Sequence, residues 1–127
     1  VLNEKLSKLK EILNKKKILT KILSNNLSSN FKIPIFNKLI SPNNYIFAFY
    51  MIPKNRKKFL KFMKKNKIEC KVFYKKPLSK NKLLKSICKT NLENAENCCK
   101  SLVCIPNHDK LKIKEVKKIA NIINNFN

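Results

Sequence analysis

The 127-residue sequence contains no glycine and no tryptophan, and only one of its 30 basic residues, Arg56, is an arginine. The net charge of +23 suggests a nucleic-acid partner, but arginine is the residue that contacts phosphate and guanine in a bidentate manner. Lysine, asparagine and isoleucine have A/T-rich codons, whereas glycine, alanine, tryptophan and most arginine codons do not. An A/T-biased genome therefore explains the whole composition, and we expect no nucleic-acid partner.

The sequence also lacks long apolar runs and an export signal. No apolar run approaches the roughly 18 residues that span a bilayer, and no signal-peptide pattern is present at the start. An odd number of cysteines, five, then predicts reduced thiols in a cytoplasmic compartment. The length and the apolar content of 43% fit a single domain. Because the chain opens Val-Leu-Asn-Glu without a methionine, we expect a piece of a longer polypeptide.

Three cysteines and the single histidine lie within residues 95–108, which suggests a metal or redox site. Structural zinc sites take four tetrahedral ligands, usually from spaced cysteine pairs. Cys98 and Cys99 are adjacent, so a helix would direct them about 100° apart, and Pro106 interrupts the spacing from Cys104 to the histidine. A Cys-x-x-Cys redox motif is absent. We predict that the cysteines fill small apolar positions in a core, with no metal site.

The periodicity of apolar residues predicts the secondary structure. Leucines and isoleucines recur every three or four residues over residues 1–27, which indicates a long amphipathic helix, and a proline-containing connector follows to about residue 44. Short apolar runs predict three strands: 45–52, 69–74 and 101–105. Further helices are predicted at 54–66, 82–89, 92–100 and from 112 onward.

This order of elements predicts an α+β fold. Residues 1–27 form a connecting helix, and residues 28–127 form a small domain. In that domain a three-stranded, mainly antiparallel sheet packs against helices.

The segment AENCCKSLVCIPNHDKL (95–111) is followed by a predicted helix. This segment resembles the closing part of the DegT/StrS family of pyridoxal-phosphate sugar aminotransferases, and His108 matches the family's histidine position. Upstream, the family has three motifs in the order Gly-Ile-Glu, Val-His-Tyr and Pro-Leu-His. In this sequence the corresponding motifs occur in the same order: Lys67-Ile68-Glu69, Val72-Phe73-Tyr74 and Pro77-Leu78-Ser79.

The resemblance implies the small C-terminal domain of a fold-type I aminotransferase. Such an enzyme transfers an amino group, commonly from glutamate, to a nucleotide-linked keto-sugar in cell-surface polysaccharide or amino-sugar biosynthesis. Pyridoxal phosphate and the Schiff-base lysine belong to a large N-terminal domain that is absent from this chain. The resemblance thus implies no catalytic or cofactor-binding residue here, and it implies a homodimer.

The resemblance also implies which residues face the substrate. Tyr74 would donate a phenol hydrogen bond, Lys75 and Lys76 would meet the diphosphate as point charges, and Ser79 and His108 would lie nearby. The alternative is that Tyr74 packs in the sheet and that both lysines are solvated.

The chain departs from the family at three histidine positions, which hold Ala48, Phe73 and Ser79. A phenyl ring makes none of the hydrogen bonds of an imidazole, so we expect these positions not to bind the family's usual sugar nucleotide as histidines would. Two other hypotheses stay open: a small basic RNA-binding or ribosome-associated domain, and a structural remnant that has lost its function.

Overall fold

The structure is a computed structural model, and it describes residues 2–37, 39–84, 87 and 92–126. The elements in chain order are α1 (Leu2–Ser7), α2 (Leu9–Asn26), β1 (Phe47–Tyr50), α3 (Pro53–Lys65), a 3₁₀ turn (Leu78–Lys80), α4 (Glu93–Ser101), β2 (Leu102–Ile105) and α5 (Ile113–Asn124). The α+β class predicted from the sequence is confirmed.

The N-terminal helix is interrupted at Lys8, where the sequence predicted one continuous helix over 1–27. The Ser7 hydroxyl donates a 2.8 Å hydrogen bond to the Glu4 carbonyl, and such local bonds compete with the helical pattern. Beyond the interruption, α2 buries Leu19 and Leu23 against the rest of the chain. The anchored part of the predicted helix is therefore its second half.

The sheet of the described residues has two antiparallel strands, not the predicted three. β1 and β2 pair so that Ala48 is opposite Cys104. The predicted third strand, 69–74, contributes a single bridge, in which Lys71 and Cys104 exchange hydrogen bonds of 2.8 and 2.9 Å. Edge segments that carry lysines are commonly short, and by Tyr74, which is 71% exposed, the chain has left the sheet.

The core lies on one face of this sheet, against α2, α3 and α5. Four phenylalanines form its centre in edge-to-face contacts, with ring centroids 5.1 to 5.7 Å apart: Phe31–Phe49, Phe49–Phe59 and Phe59–Phe126. Edge-to-face pairs bring the positive edge of one ring to the negative face of the next. Phe59 is fully buried and contacts all three other rings, so α3 holds the aromatic centre together.

Arg56 connects α3 to the junction between α4 and β2. Its Nη1 atom donates to the carbonyl oxygen of Cys99 and, at 3.5 Å, to that of Leu102. The last carbonyls of a helix have no partner within the helix and carry partial negative charge. The single arginine therefore caps α4 where the chain turns into β2.

The remaining predictions agree in part with the structure. The helices predicted at 92–100 and from 112 are present as α4 and α5. Of the short helix predicted over 82–89, residues 85, 86, 88 and 89 lie outside the described part of the chain, and the described residues 82–84 and 87 lie in turns. None of the described helices has both the length and the apolarity to cross a membrane.

Replacing Phe59 by alanine is expected to lower the free energy of unfolding by about 3–5 kcal/mol, because a fully packed ring is lost and a cavity is left. Urea unfolding followed by circular dichroism measures the change. The control is Phe73→Ala at a ring that is 47% exposed, where a much smaller loss is expected. Equal losses in the two variants would contradict the central position of Phe59.

Candidate functional site

The face of the sheet opposite the core carries the candidate site. Side chains alternate between the faces of a strand, so the buried rings of Phe47 and Phe49 leave Ala48 on the outer face. Directly opposed residues share a face, and Cys104 opposes Ala48. Lys71 bridges to Cys104 and extends this outer surface.

A cleft of about 290 Å³ opens on this outer face. Its wall includes Glu69, Lys71 and Phe73, which alternate along one extended segment. The other wall residues come from α2, from the end of the connector and from the end of β2 with the residues after it: Lys16, Tyr45, Ile46, Cys104, Ile105, Pro106, Asn107 and His108. Four separate segments of the chain therefore meet at the cleft.

Asn107 fixes the end of β2 in this arrangement. Its side chain is buried, and its Nδ2 atom donates to the Thr20 hydroxyl at 2.8 Å and to the Asn44 carbonyl at 2.9 Å. Asn44 has a positive φ of 50°, which asparagine tolerates better than most residues. The amide thus ties α2 and the connector to the loop that presents His108.

The cleft contains both charges and aromatic rings. Lys71 Nζ lies 3.3 Å from Glu69 Oε1, and both side chains are largely exposed. The ammonium of Lys16 lies over the Tyr45 ring, 5.6 Å from its centroid, in a cation–π arrangement. With the imidazole of His108, these groups suit a ligand that carries anionic and hydroxyl groups.

Two cysteines near the cleft are held as thiols. Burial, and then the neighbouring Cys104 and Glu69, raise the pKa of Cys70 to about 12. Burial also raises the pKa of the Cys104 thiol. A thiolate is the form that binds metals and attacks electrophiles, so these two cysteines act as small apolar side chains. Cys98 is exposed instead, and Cys88 lies outside the described residues.

Most of the predicted substrate-binding residues lie outside this cleft. His108 lines it, whereas Tyr74 lies beside a separate small recess with Cys98, Cys99 and Leu102. Lys75 and Lys76 are exposed and Ser79 is half-buried. Phe73 lines both cavities, so the loop 74–79 begins at the border between them.

The loop is fastened to α4 by an ion pair. Lys80 Nζ lies 2.8 Å from Glu96 Oε2, and Lys100 Nζ lies 3.8 Å from the same oxygen. The hydrogen bond from Lys80 lowers the pKa of the Glu96 carboxyl, and the charges of both lysines add to it. This contact holds the end of the predicted substrate loop against the helix.

The sequence interpretation did not identify Lys16, Tyr45, Glu69, Lys71 or Asn107 as site residues. The two-residue alternation of Glu69, Lys71 and Phe73 was a usable signal, since it places these side chains on one face of an extended segment. No such pattern surrounds Lys16 or Asn107, because their place in the site depends on long-range packing.

Comparison with known proteins gives both a family and a fold. The model of the DegT/DnrJ/EryC1/StrS aminotransferase family matches residues 1–124. No protein with a curated description matches the sequence significantly.

Solved structures match the chain over nearly its whole length. A DegT DnrJ EryC1 StrS aminotransferase from Brucella abortus superposes with a TM-score of 0.90 at 20% identity, covering 99% of this chain and 34% of that one. DesV from S. venezuelae, solved in complex with a ketimine intermediate, superposes with a TM-score of 0.87 at 13% sequence identity. The match covers 98% of this chain and 34% of DesV. Helicobacter pylori PseC, an aminotransferase involved in the biosynthesis of pseudoaminic acid, superposes with a TM-score of 0.79 at 20% sequence identity. The match covers 94% of this chain and 34% of PseC. The chain therefore spans about one third of the length of these aminotransferases.

Replacing Asn107 by alanine is expected to cost about 1–3 kcal/mol of the free energy of unfolding, because the hydroxyl of Thr20 and the carbonyl of Asn44 each lose a partner. Thermal and urea unfolding measure the loss. Asn97→Ala, at an exposed position of α4, is the control and should leave stability nearly unchanged. A loss no larger at Asn107 than at Asn97 would show that the amide does not hold the loop.

Replacing Glu96 by glutamine is expected to flatten the dependence of stability on pH. The folded-state pKa of Glu96 is lowered relative to about 4.3 for an unfolded glutamate. The stabilisation is therefore present above pH ~4.3 and is lost as the pH falls through the folded pKa. Urea unfolding from neutral pH into acid measures the difference between wild type and variant, which should vanish in acid. Glu11→Gln, at an exposed helical position, removes an equal charge, and the same acid-dependent difference in this control would refute the assignment.

Proposed function

Since the chain belongs to the DegT/DnrJ/EryC1/StrS aminotransferase family, we propose that it is the small C-terminal domain of a sugar aminotransferase. The enzyme would transfer an amino group, commonly from glutamate, to a nucleotide-linked keto-sugar. The observation that carries this proposal is the difference between the share of this chain that is matched and the share of each relative that is matched. The family model matches residues 1–124, whereas this chain spans only about a third of each solved relative.

Pyridoxal phosphate is the cofactor that the proposal implies for the whole enzyme, but the described residues do not fit it. A lysine that forms a Schiff base needs a site that favours its neutral amine, for example a desolvated one. The described lysine side chains are exposed except for Lys16, which is half-buried. The carboxylate in the cleft, Glu69, is paired with Lys71. We therefore place the cofactor in the rest of the enzyme and assign this chain to the substrate.

The part that this chain plays is to supply one wall of the sugar-nucleotide site. The cleft presents two ammonium groups, an imidazole and a phenol around an apolar floor, and ammonium groups bind phosphate as point charges. One structural relative, DesI, was solved in the presence of its TDP-sugar product. Under this proposal His108 and Lys71 contact the ligand, and the predicted contacts of Tyr74, Lys75, Lys76 and Ser79 extend the site beyond Phe73.

The positions at which this chain lacks the family's histidines affect which ligand the site can bind. Phe73 lines the cleft, and Ala48 lies opposite Cys104 on the outer face of the sheet. One imidazole of the family pattern is therefore exchanged for a phenyl ring in the cleft wall, and another for a methyl group on the outer face. Hydrogen bonds to sugar hydroxyls would then come from His108 and Tyr45 instead. A cytoplasmic homodimer is also part of the proposal.

The alternative of an RNA-binding domain has less support from the surface. Exposed lysines occur on α2, α3 and α5 and in the loop after residue 70. A dedicated nucleic-acid site concentrates basic residues on one face. Lysines spread over three helices and a loop are the pattern that a biased composition produces.

Titration of the isotope-labelled chain with TDP-glucose tests the assignment of the cleft. Amide signals of Lys71, Phe73 and His108 are expected to shift, and Lys71→Ala should weaken binding about tenfold, the equivalent of one charge-assisted hydrogen bond. Heteronuclear NMR measures both effects.

Two controls make this experiment decisive. Lys114→Ala removes the same charge from the exposed side of α5 and should leave the affinity unchanged. Inorganic pyrophosphate should shift fewer cleft signals than the sugar nucleotide does. Equal weakening by both variants, or shifts scattered over the lysine-rich surface, would indicate charge attraction alone and would exclude the cleft as the sugar-nucleotide site.

A further inference from the structure

Glu69 is the one carboxylate among the described residues that line the cleft, and its position differs from those of the other acidic residues. Of the seven acidic residues in the chain, five lie in the first turn of a helix, where the helix dipole favours negative charge: Glu4, Glu11, Glu93, Glu96 and Glu115. Asp109 lines a separate small cavity beside Lys8 and Lys15. Neither a helix end nor this cavity accounts for Glu69.

A negative charge in the cleft opposes the binding of phosphate. Lys16 and Lys71 share the cleft wall with Glu69, and ammonium groups bind phosphate as point charges, whereas a carboxylate repels it. The sequence has 30 basic residues and 7 acidic ones, so an acidic residue at an exposed position is also an exception to the composition. Glu69 therefore indicates a contact with a part of the ligand other than its phosphates.

The ion pair with Lys71 does not by itself explain the carboxylate. Lys71 Nζ lies 3.3 Å from Glu69 Oε1, but 61% of the Lys71 side chain and 69% of the Glu69 side chain are exposed. Exposed pairs of this kind contribute little to stability, because water screens the attraction. A carboxylate has acceptor sites for about four hydrogen bonds, so a ligand can bind Glu69 beside Lys71 or in its place.

The backbone that carries Glu69 is anchored on both sides. The N–H of Ile68 donates to the carbonyl oxygen of Met63 at 3.0 Å, and Lys71 and Cys104 exchange backbone hydrogen bonds of 2.8 and 2.9 Å. Alternate side chains of an extended segment share a face, which is why Glu69 and Lys71 line the same cleft. The carboxylate is thus presented to the cleft from a fixed position.

The chemistry of a carboxylate limits what it can bind. An ionised carboxylate accepts hydrogen bonds and donates none, so the ligand group must supply the donors. Two hydroxyls on adjacent carbons can each donate to one of the two oxygens, and acidic residues bind ribose hydroxyls of dinucleotides by such bonds. The rings of Tyr45 and Phe73, which are 66% and 47% exposed, line the same cleft and offer apolar faces to the ring that carries the hydroxyls.

We propose that Glu69 is a specificity-determining residue that binds a vicinal diol of the sugar nucleotide. The ribose of a ribonucleotide and the hexose each carry such a diol, and both present the same chemistry to the carboxylate. The inference rests on the proposed function, because it concerns the same cleft. It adds which groups of the ligand are selected there, and that a deoxyribose is disfavoured if the ribose supplies the diol.

NMR titration of the labelled chain with two matched ligand pairs tests this proposal. UDP and dUDP differ in the ribose 2′-hydroxyl, whereas TDP-glucose and TDP differ in the hexose. The wild-type chain should prefer the diol-bearing member of at least one pair by about tenfold, the equivalent of one charge-assisted hydrogen bond. Glu69→Gln keeps the size of the side chain and should abolish that preference, and the pair that responds identifies the diol.

The readout is the ratio of affinities within a pair, because removing a negative charge strengthens the attraction for any phosphate. Glu93→Gln removes the same charge from the exposed first turn of α4 and should leave both ratios unchanged. Circular dichroism verifies that both variants fold.

Three outcomes would contradict the inference. If the nucleotides shift the cleft signals but both ratios are the same in the wild type and in Glu69→Gln, the inference fails and the proposed function stands. If no nucleotide shifts the cleft signals, the proposed function fails and the inference fails with it. An equal loss of preference in Glu69→Gln and Glu93→Gln would assign the effect to charge at a distance and would also overturn the role of Glu69.

Discussion

The register between β1 and β2 is the constraint on which the rest of this structure depends. Pairing Ala48 with Cys104 directs Phe47, Phe49, Val103 and Ile105 into the core and leaves the opposite face for the cleft. A slip of one residue would exchange the two faces, placing a phenylalanine where the cleft has its floor. The aromatic contacts of Phe49 and Phe59 make such a slip costly, because the packed rings would be exposed to water.

Two polar side chains act at the two ends of β2. Arg56 binds the carbonyls of Cys99 and Leu102 where the strand begins, and Asn107 binds α2 and the connector just after the strand ends. In a chain of lysines and apolar residues, these are the bonds that orient the strand. Because His108 follows β2 closely, the hydrogen bonds of Arg56 and Asn107 also set the position of the His108 loop. The geometry of the cleft therefore depends on residues that need not contact a ligand.

The surface of this chain shows how a composition bias can be separated from the features of a candidate site. Exposed lysines occur along α2, α3 and α5, as a bias that acts on every codon would produce. Two regions differ from this background. In the cleft, lysines are set against a carboxylate, a phenol and an imidazole, and in the connector the charge is nearly absent. The net charge therefore marks no site by itself, and the cleft and the connector are distinguished by how they depart from the average surface.

The sequence by itself determined the types of most elements, the α+β class and the family, because these follow from local periodicity and from the order of short motifs along the chain. It placed Phe49 and Phe59 on apolar runs and it identified His108. It also predicted a third full strand at 69–74, since an apolar alternation looks the same whether or not a partner strand continues beside it. Only the tertiary structure brought Lys16, Tyr45, Lys71 and Asn107 to one cleft, separated the Tyr74 loop from it, and left Ile35 and Leu39 uncovered. These outcomes depend on contacts between residues far apart in the sequence, whose energies no local pattern contains.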